Sequence, residues 1–227
     1  MNQIRYLGFS NFDPSVNMSV DEMLFKRALE NNKTASLRFF TFNRRCISIG
    51  KNQRTDKLPE EFLNAGLEIV KRPTGGGAVM HDRDLCYALV LPESYLGPNS
   101  ALMNSYRMIT GGLKHGFKLC GVDVQYGSSD QHQNEPVCFN KAWIYELSLQ
   151  GKKLVGSAQK RAKGILLQQG SIMKDHHVPV DRLINALLEG LRLSLNIEYT
   201  DEPLTKDELE VSKVFSRNFA VTAETTR

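Results

Sequence analysis

Apolar positions along this chain follow two rhythms, one helical and one alternating or continuous, and together they mark out the elements. Residues 17–31, NMSVDEMLFKRALEN, set Val20, Leu24 and Ala28 at helical spacing, and Ser19 followed by Glu22 has the form of a capping box. Two runs rich in aromatic and β-branched residues come next, LRFFTF from Leu37 and CISIG from Cys46, and both read as strands. Pro59 then opens a short helix, EEFLNA, which Gly66 closes. Two further strand-like runs, LEIV and LCYALVL, flank the segment 71–82, KRPTGGGAVMHD, with no helix between them. From Asn99 a long helix places Leu102, Tyr106, Ile109, Leu113 and Phe117 on one stripe and ends at Gly121.

Residues 127–141, GSSDQHQNEPVCFNK, are polar, without periodicity and interrupted by Pro136, so they predict a long loop, a length associated with function. A β-meander follows: AWIYELSL, a Gln150-Gly151 turn, KKLVGSAQK, a break at Lys163-Gly164, and ILLQQGSIM. Pro179 opens another helix, with Leu183, Leu187, Leu191 and Leu195 on one side. A polar turn leads to a last helix over 205–217, and the chain is expected to be loose after about residue 218. Strands and helices are intermixed without the regular alternation of a doubly wound sheet. The prediction is an α+β fold with mixed or antiparallel sheets flanked by helices, in a single domain spanning 1–227.

Composition narrows the classes. A hydrophobic fraction of 41% and a charged fraction of 24% are those of a soluble globular protein, and no apolar run approaches the ~20 residues that span a bilayer. The opening MNQIRYLGFS lacks a basic region followed by a long apolar segment, so it does not read as a secretory signal, and a cytoplasmic protein is expected. Cys46, Cys86, Cys120 and Cys138 include no Cys-x-x-Cys pair, which argues against a zinc cluster and a thioredoxin-type site. His132, His176 and His177 show no ligand spacing either, so no metal is expected. The net charge of +4, without long Lys/Arg tracts, gives no nucleic-acid footprint but suits transient docking of acidic proteins.

Three features carry candidate chemistry. Glycines between two strands let a backbone pass close to a ligand, or bend a sheet edge. Cys46 and Cys86 sit in apolar runs and Cys120 closes a helix, whereas Cys138 lies in polar loop sequence, as a reactive thiol or an inert loop cysteine. Lys153 begins a strand whose Gly156, Ser157 and Ala158 are small enough for a ligand chain to pack against them. His81 and Asp82 form a candidate acid/base pair, or bond to local backbone.

Three ordered motifs resemble the biotin/lipoate protein ligase and lipoyl-transferase superfamily, over nearly the whole chain. NMSVDEML is similar to its Asn-x-x-x-Asp first-helix signature, and RPTGGGAVMHDRDLCYALV to its Arg-x-x-Gly-Gly-x-x-Val-x-His-Asp motif. WIYELSLQGKKLVGSAQKRAKGILLQQGSI resembles its Gly-Lys-Lys-x-x-Gly-Ser-Ala-Gln-x-Arg stretch leading to Leu-Gln-His-Gly-Ser-Ile. The VCF, WIYEL and GKKLVGSAQ segments look most like the cysteine-dependent octanoyltransferases. Gly77 stands where that branch often carries Arg, and Gln169 where the superfamily usually has His.

The resemblance implies transfer of an octanoyl group from acyl carrier protein to a lipoyl-domain lysine, with Cys138 as acyl-accepting nucleophile and Lys153 as its neighbouring lysine. The acceptors it implies are the lipoyl domains of 2-oxoacid dehydrogenases or the glycine cleavage H protein, with no nucleic acid, membrane or cofactor. Gly75, Gly76, Gly77 and Ala78, with Gly156 and Ala158, would wall the acyl channel, Ser157 would also meet the substrate, and Arg72 and His81 would brace the loop. Oxyanion donors are sought first at the Gly156 and Ser157 backbone, then at Gly75 and Gly76. The clusters Arg44-Arg45, Lys51 to Arg54 and Lys160-Arg161-Lys163 suit acidic protein partners. Two alternatives stay open: an ATP- and Mg-dependent lipoate or octanoate ligase, in which Lys153 and Arg72 meet an acyl-adenylate, and a catalytically silent binding module.

Overall fold

The computed structural model describes residues 1–30, 34–58, 60–98, 101–127 and 145–221. In chain order its elements are β1 (Asn2–Phe12), α1 (Pro14–Glu30), β2 (Ser36–Phe42), β3 (Cys46–Ile49), α2 (Glu60–Leu63), β4 (Glu68–Lys71), β5 (Val79–His81) and β6 (Leu85–Pro92). Then come α3 (Leu102–Leu119), β7 (Gln125–Tyr126), β8 (Leu147–Leu149), β9 (Lys152–Ala162), β10 (Ile165–Ile172), α4 (Val180–Leu195), β11 (Ile197–Asp201) and α5 (Lys206–Phe215). Among the described residues they form an eight-stranded sheet, ordered β11-β1-β2-β6-β10-β9-β8-β7, and a three-stranded sheet, β4-β3-β5. β1 runs parallel to both β11 and β2, and β2, β6, β10 and β9 continue antiparallel. The sheet is therefore mixed and the fold α+β, as the intermixed pattern predicts.

β6 is buried at every position, which is why LCYALVLP reads as one apolar run and not as an alternation. Tyr87, Leu89 and Leu91 face the stripe of α3 (Ile109, Leu113, Phe117) and that of α4 (Leu183, Leu187, Leu191). Cys86, Ala88 and Val90 face Leu24 and Phe25 of α1. α3 and α4 cross closely because glycines meet there: a Cβ on Gly190 would fall 2.2 Å from the Gly112 carbonyl oxygen.

Several local expectations change. α1 begins at Pro14, not at residue 17, because Asp13 Oδ1 accepts the backbone N–H (3.3 Å) and hydroxyl (3.0 Å) of Ser15. Ser19 is thereby buried inside the helix rather than capping it. Asn17 and Asp21, one turn apart, grip the fully buried Arg38: its Nη1 donates to Asn17 Oδ1 (2.9 Å) and its Nε to Asp21 Oδ1 (2.7 Å). The Asn-x-x-x-Asp pattern thus carries a buried ion pair.

β1 and β11 were not expected: the first alternates poorly, and the second lies in what reads as a polar turn. α5 has a true capping box, Thr205 with Glu208. The chain, expected to loosen after about residue 218, is bonded as far as Val221, and the rest of that tail, 222–227, lies outside the described residues. Lys71 N–H donates to Phe219 O (2.8 Å), Val221 N–H donates to Ile69 O (2.9 Å), and Ala220 bridges to Val70. No helix among the described residues is long and apolar enough to cross a membrane.

Candidate functional site

Both sheets contribute walls to a cleft of about 620 Å³. Its apolar lining comes from Met18, Phe40, Phe42, Leu102 and Met173, and one side is the glycine segment following β4. Arg72 at the root of that segment is buried and laces it together. Its Nε and Nη2 donate to Gly75 O (3.0 and 2.6 Å), Nη2 also to Gly77 O (2.7 Å), and Nη1 to Ser48 O (3.1 Å) and Ser48 Oγ (3.2 Å). All five guanidinium N–H groups are used on neutral oxygens. Burial pushes the Arg72 pKa down to about 10, so it remains cationic at neutral pH. Gly76 has φ +88°, and a Cβ on Gly50 would lie 2.2 Å from Gly76 O, so the loop seats directly on glycine backbone.

Behind the loop runs a buried relay. Ser171 Oγ (2.5 Å) and His81 Nδ1 (2.8 Å) donate to Asp84 Oδ2, while Ser48 O–H donates to His81 Nε2 (2.8 Å). Burial opposes the Asp84 charge, but the bonds from His81 and Ser171 outweigh it and hold the carboxyl below its ordinary range. The partner of His81 is therefore Asp84, not the adjacent Asp82, which is exposed and 3.8 Å from Lys174. His81, Asp84 and Cys86 offer ligand atoms within 4.8 Å of one another, and hydrogen bonds within the cluster join them.

The opposite wall is β9. Lys153 pairs with Glu146 (Nζ to Oε1, 2.7 Å), and a Cβ on Gly156 would meet Lys153 Cε at 2.8 Å, so the missing side chain makes room for the lysine. Gly170 does the same for Tyr87: a Cβ there would fall 2.2 Å from the ring. Tyr87 crosses that gap to reach Ser157 Oγ (2.8 Å) and accepts from Gln168 Nε2 (2.6 Å); burial pushes its pKa up to about 12. Gln169 donates through Nε2 to Asp21 Oδ2 (2.5 Å) and accepts from Thr74 Oγ1 (2.7 Å). One amide thus ties the α1 ion pair to the glycine segment.

Residues 13–191 match the lipoyl protein ligase A/B catalytic domain family. The chain belongs to that family. As one of the lipoyl protein ligase A/B domains it is 34% identical to the octanoyltransferase LipM of Brevibacillus brevis, over 97% of this chain and 87% of that protein. Its fold is that of a solved lipoate-protein ligase A bound with ATP (TM-score 0.76, 21% identity, 96% of this chain and 95% of that one). It is also that of a bipartite lipoate protein ligase from Thermoplasma acidophilum, solved in a study with its E2 lipoyl domain (TM-score 0.74, 18% identity, 98% and 96%).

Within this lipoyl ligase A/B domain Arg72, Gly75, Gly76, Gly77, Ala78, His81, Lys153, Gly156, Ser157 and Ala158 all border the one cleft. Cys138 lies outside the described residues; on either side of its segment, Gly127 N–H donates to the carbonyl of the cleft residue Glu146 (2.8 Å). Cys46 and Cys86 are buried thiols whose pKa values burial drives up, as core residues would be. Sequence reasoning passed over Glu146, Ser48 and Asp84. Their signal was weak, since each acts through partners distant in the chain or beyond a turn. Within the basic clusters Arg44 pairs with Asp13 and Glu68, Arg54 with Asp56, Lys160 with Glu22 and Arg161 with Glu93.

Proposed function

We propose that this chain is an octanoyltransferase of protein lipoylation, moving an octanoyl group from acyl carrier protein to a lysine of a lipoyl domain through a thioester on Cys138. The supporting observation is the pairing of Lys153 with Glu146 at an apolar cleft walled by Gly75, Gly76, Gly77 and Ala78 on one side and by Gly156 and Ala158 on the other. The similarity to octanoyltransferase LipM over nearly the whole chain points the same way.

In the first half-reaction the Cys138 thiolate attacks the thioester carbonyl of the donor, the carrier C–S bond breaks, and the expelled carrier thiolate takes up the proton that Cys138 gave up on ionising. In the second, the neutral acceptor amine attacks the octanoyl-enzyme, the C–S bond breaks, and the proton lost by the nitrogen as the amide forms passes to the released Cys138 sulfur. Lys153 supplies a cation beside the reacting centre, and the carboxylate of Glu146 holds its ammonium in place. Seven methylenes or methyls of the acyl tail, at ~0.8 kcal/mol each, give a binding term of several kcal/mol that a closed slot converts into chain-length selection.

Ligation through an acyl-adenylate is the competing reading, since a structural neighbour was solved with ATP. Against it, every N–H of Arg72 is already bonded to protein oxygen, which leaves that guanidinium no donor for a phosphate. The test is intact mass after exposure to octanoyl carrier protein without nucleotide. An octanoyl adduct is expected on the wild type and absent from Cys138→Ala. An adduct surviving that substitution, or product formed only from free acid and ATP, would refute the transfer reading.

A further inference from the structure

A second cavity, about 520 Å³, is lined by residues of α1 and α5, by Lys71, Arg72 and Pro73, and by Lys160; it shares Arg72 with the catalytic cleft, and Lys160 lies seven residues along β9 from Lys153, roughly 23 Å at ~3.3 Å per strand residue. Its charges are unbalanced. Arg27 is committed to Glu208 and Lys160 to Glu22, but Lys26, Lys51 and Lys71 form no ion pair among the described residues. Glu30 is the one lining carboxylate without a pairing partner there. The floor and rim are apolar: Met23 and Phe219 line the groove, Val211 is 42% and Phe215 55% exposed, and Val214 on the same helix is 70% exposed. Ser212, fully buried, lines it with a hydroxyl that has no hydrogen-bond partner among the described residues.

Resting on the transfer reading above, we infer that this groove docks an acidic, amphipathic segment of the protein that carries the octanoyl thioester. Unpaired lysines around apolar side chains fit carboxylates around an apolar ridge, and long-range attraction speeds such encounters. The two substrates of the reaction differ in reach. An acceptor lysine has only its own side chain and must bring its protein surface to the mouth beside Lys153. A thioester carried on a long flexible thiol arm can be docked to one side and still enter the cleft. A groove whose Lys160 stands seven residues along β9 from Lys153, yet which shares Arg72 with the cleft, meets the second requirement and not the first.

The test is the double charge reversal Lys26→Glu with Lys51→Glu, both exposed positions outside the catalytic cleft. Octanoyl transfer is measured with carrier-bound octanoyl thioester and with octanoyl-N-acetylcysteamine, varying the lipoyl-domain acceptor in each. KM for the carrier-bound donor should rise about tenfold or more, with the small thioester and the acceptor KM unchanged. An unchanged carrier KM overturns the inference, as does a rise confined to the acceptor, or equal losses with both donors. Anisotropy titration of labelled acyl carrier protein reads the groove without turnover: its affinity should weaken with salt and collapse in the double variant. If the wild type consumed neither thioester, the transfer reading would fall while the titration still judged the groove.

Discussion

Ala158→Leu tests the cleft as an acyl slot. Ala158 faces Gly76 inside the cleft: a Cβ built on Gly76 would make an ordinary contact, 3.6 Å, with that of Ala158. A leucine at 158 places its added carbons in the cavity that both residues line. It brings about three methylene equivalents, displacing a similar length of bound acyl chain. At ~0.8 kcal/mol each the loss is about 2.4 kcal/mol, or about 50-fold at ~1.4 kcal/mol per decade. The assay is kcat/KM for octanoyl and butyryl thioesters of one thiol, with an unfolding curve to show that the variant folds. The octanoyl-to-butyryl ratio should fall by roughly that factor, the short chain losing little. Equal losses for both chains, or none, would refute the placement of the acyl tail against β9.

Two further predictions concern stability. Gly170→Ala drives a methyl into the Tyr87 ring, which its bonds to Ser157 and Gln168 hold in place; overpacking and a lost buried hydrogen bond should cost about 3 kcal/mol in denaturant unfolding, and a loss under about 1 kcal/mol would show that the ring moves freely. Glu208 is the second: burial would raise its carboxyl, but bonds from Arg5 and the Thr205 N–H, with Arg27 beside it, bring the pKa down to about 2. Because the folded value is depressed, its stabilisation is complete above the unfolded value of about 4.3 and is lost as pH falls from there toward about 2. Glu208→Gln should therefore unfold more easily at neutral pH and show a flatter acid limb; parallel profiles for the two proteins would contradict this.

The helices on long apolar stripes and the buried strand β6 were legible because each buries a face that its own residues announce, Ile109, Leu113 and Phe117 against Leu183, Leu187 and Leu191. The glycine segment and the Gly156 to Ala158 stretch each announced a close neighbour through their small residues, and the family resemblance is what set them on one channel. What stayed hidden depends on contacts between distant residues. Nothing local distinguishes Asp84 from Asp82 as the partner of His81; the fold decides, by carrying Ser171 to the same oxygen. Nor could Gln169 be read as a bridge before Asp21 and Thr74 were known to flank it. β1 and β11 escaped notice because neither is convincing alone.

Those two strands also constrain the order of events in folding. β1 is flanked by β2 on one edge and by β11 on the other, and residues Asn2 to Tyr6 find their mates at Ile197 to Asp201. During synthesis the first strand leaves the ribosome long before that partner exists, so one of its edges waits unpaired while nearly the whole sequence is made. Closure of this long-range parallel seam should be a late and slow step, and until then the nascent polypeptide exposes a strand edge that chaperones, or other copies of itself, could recognise.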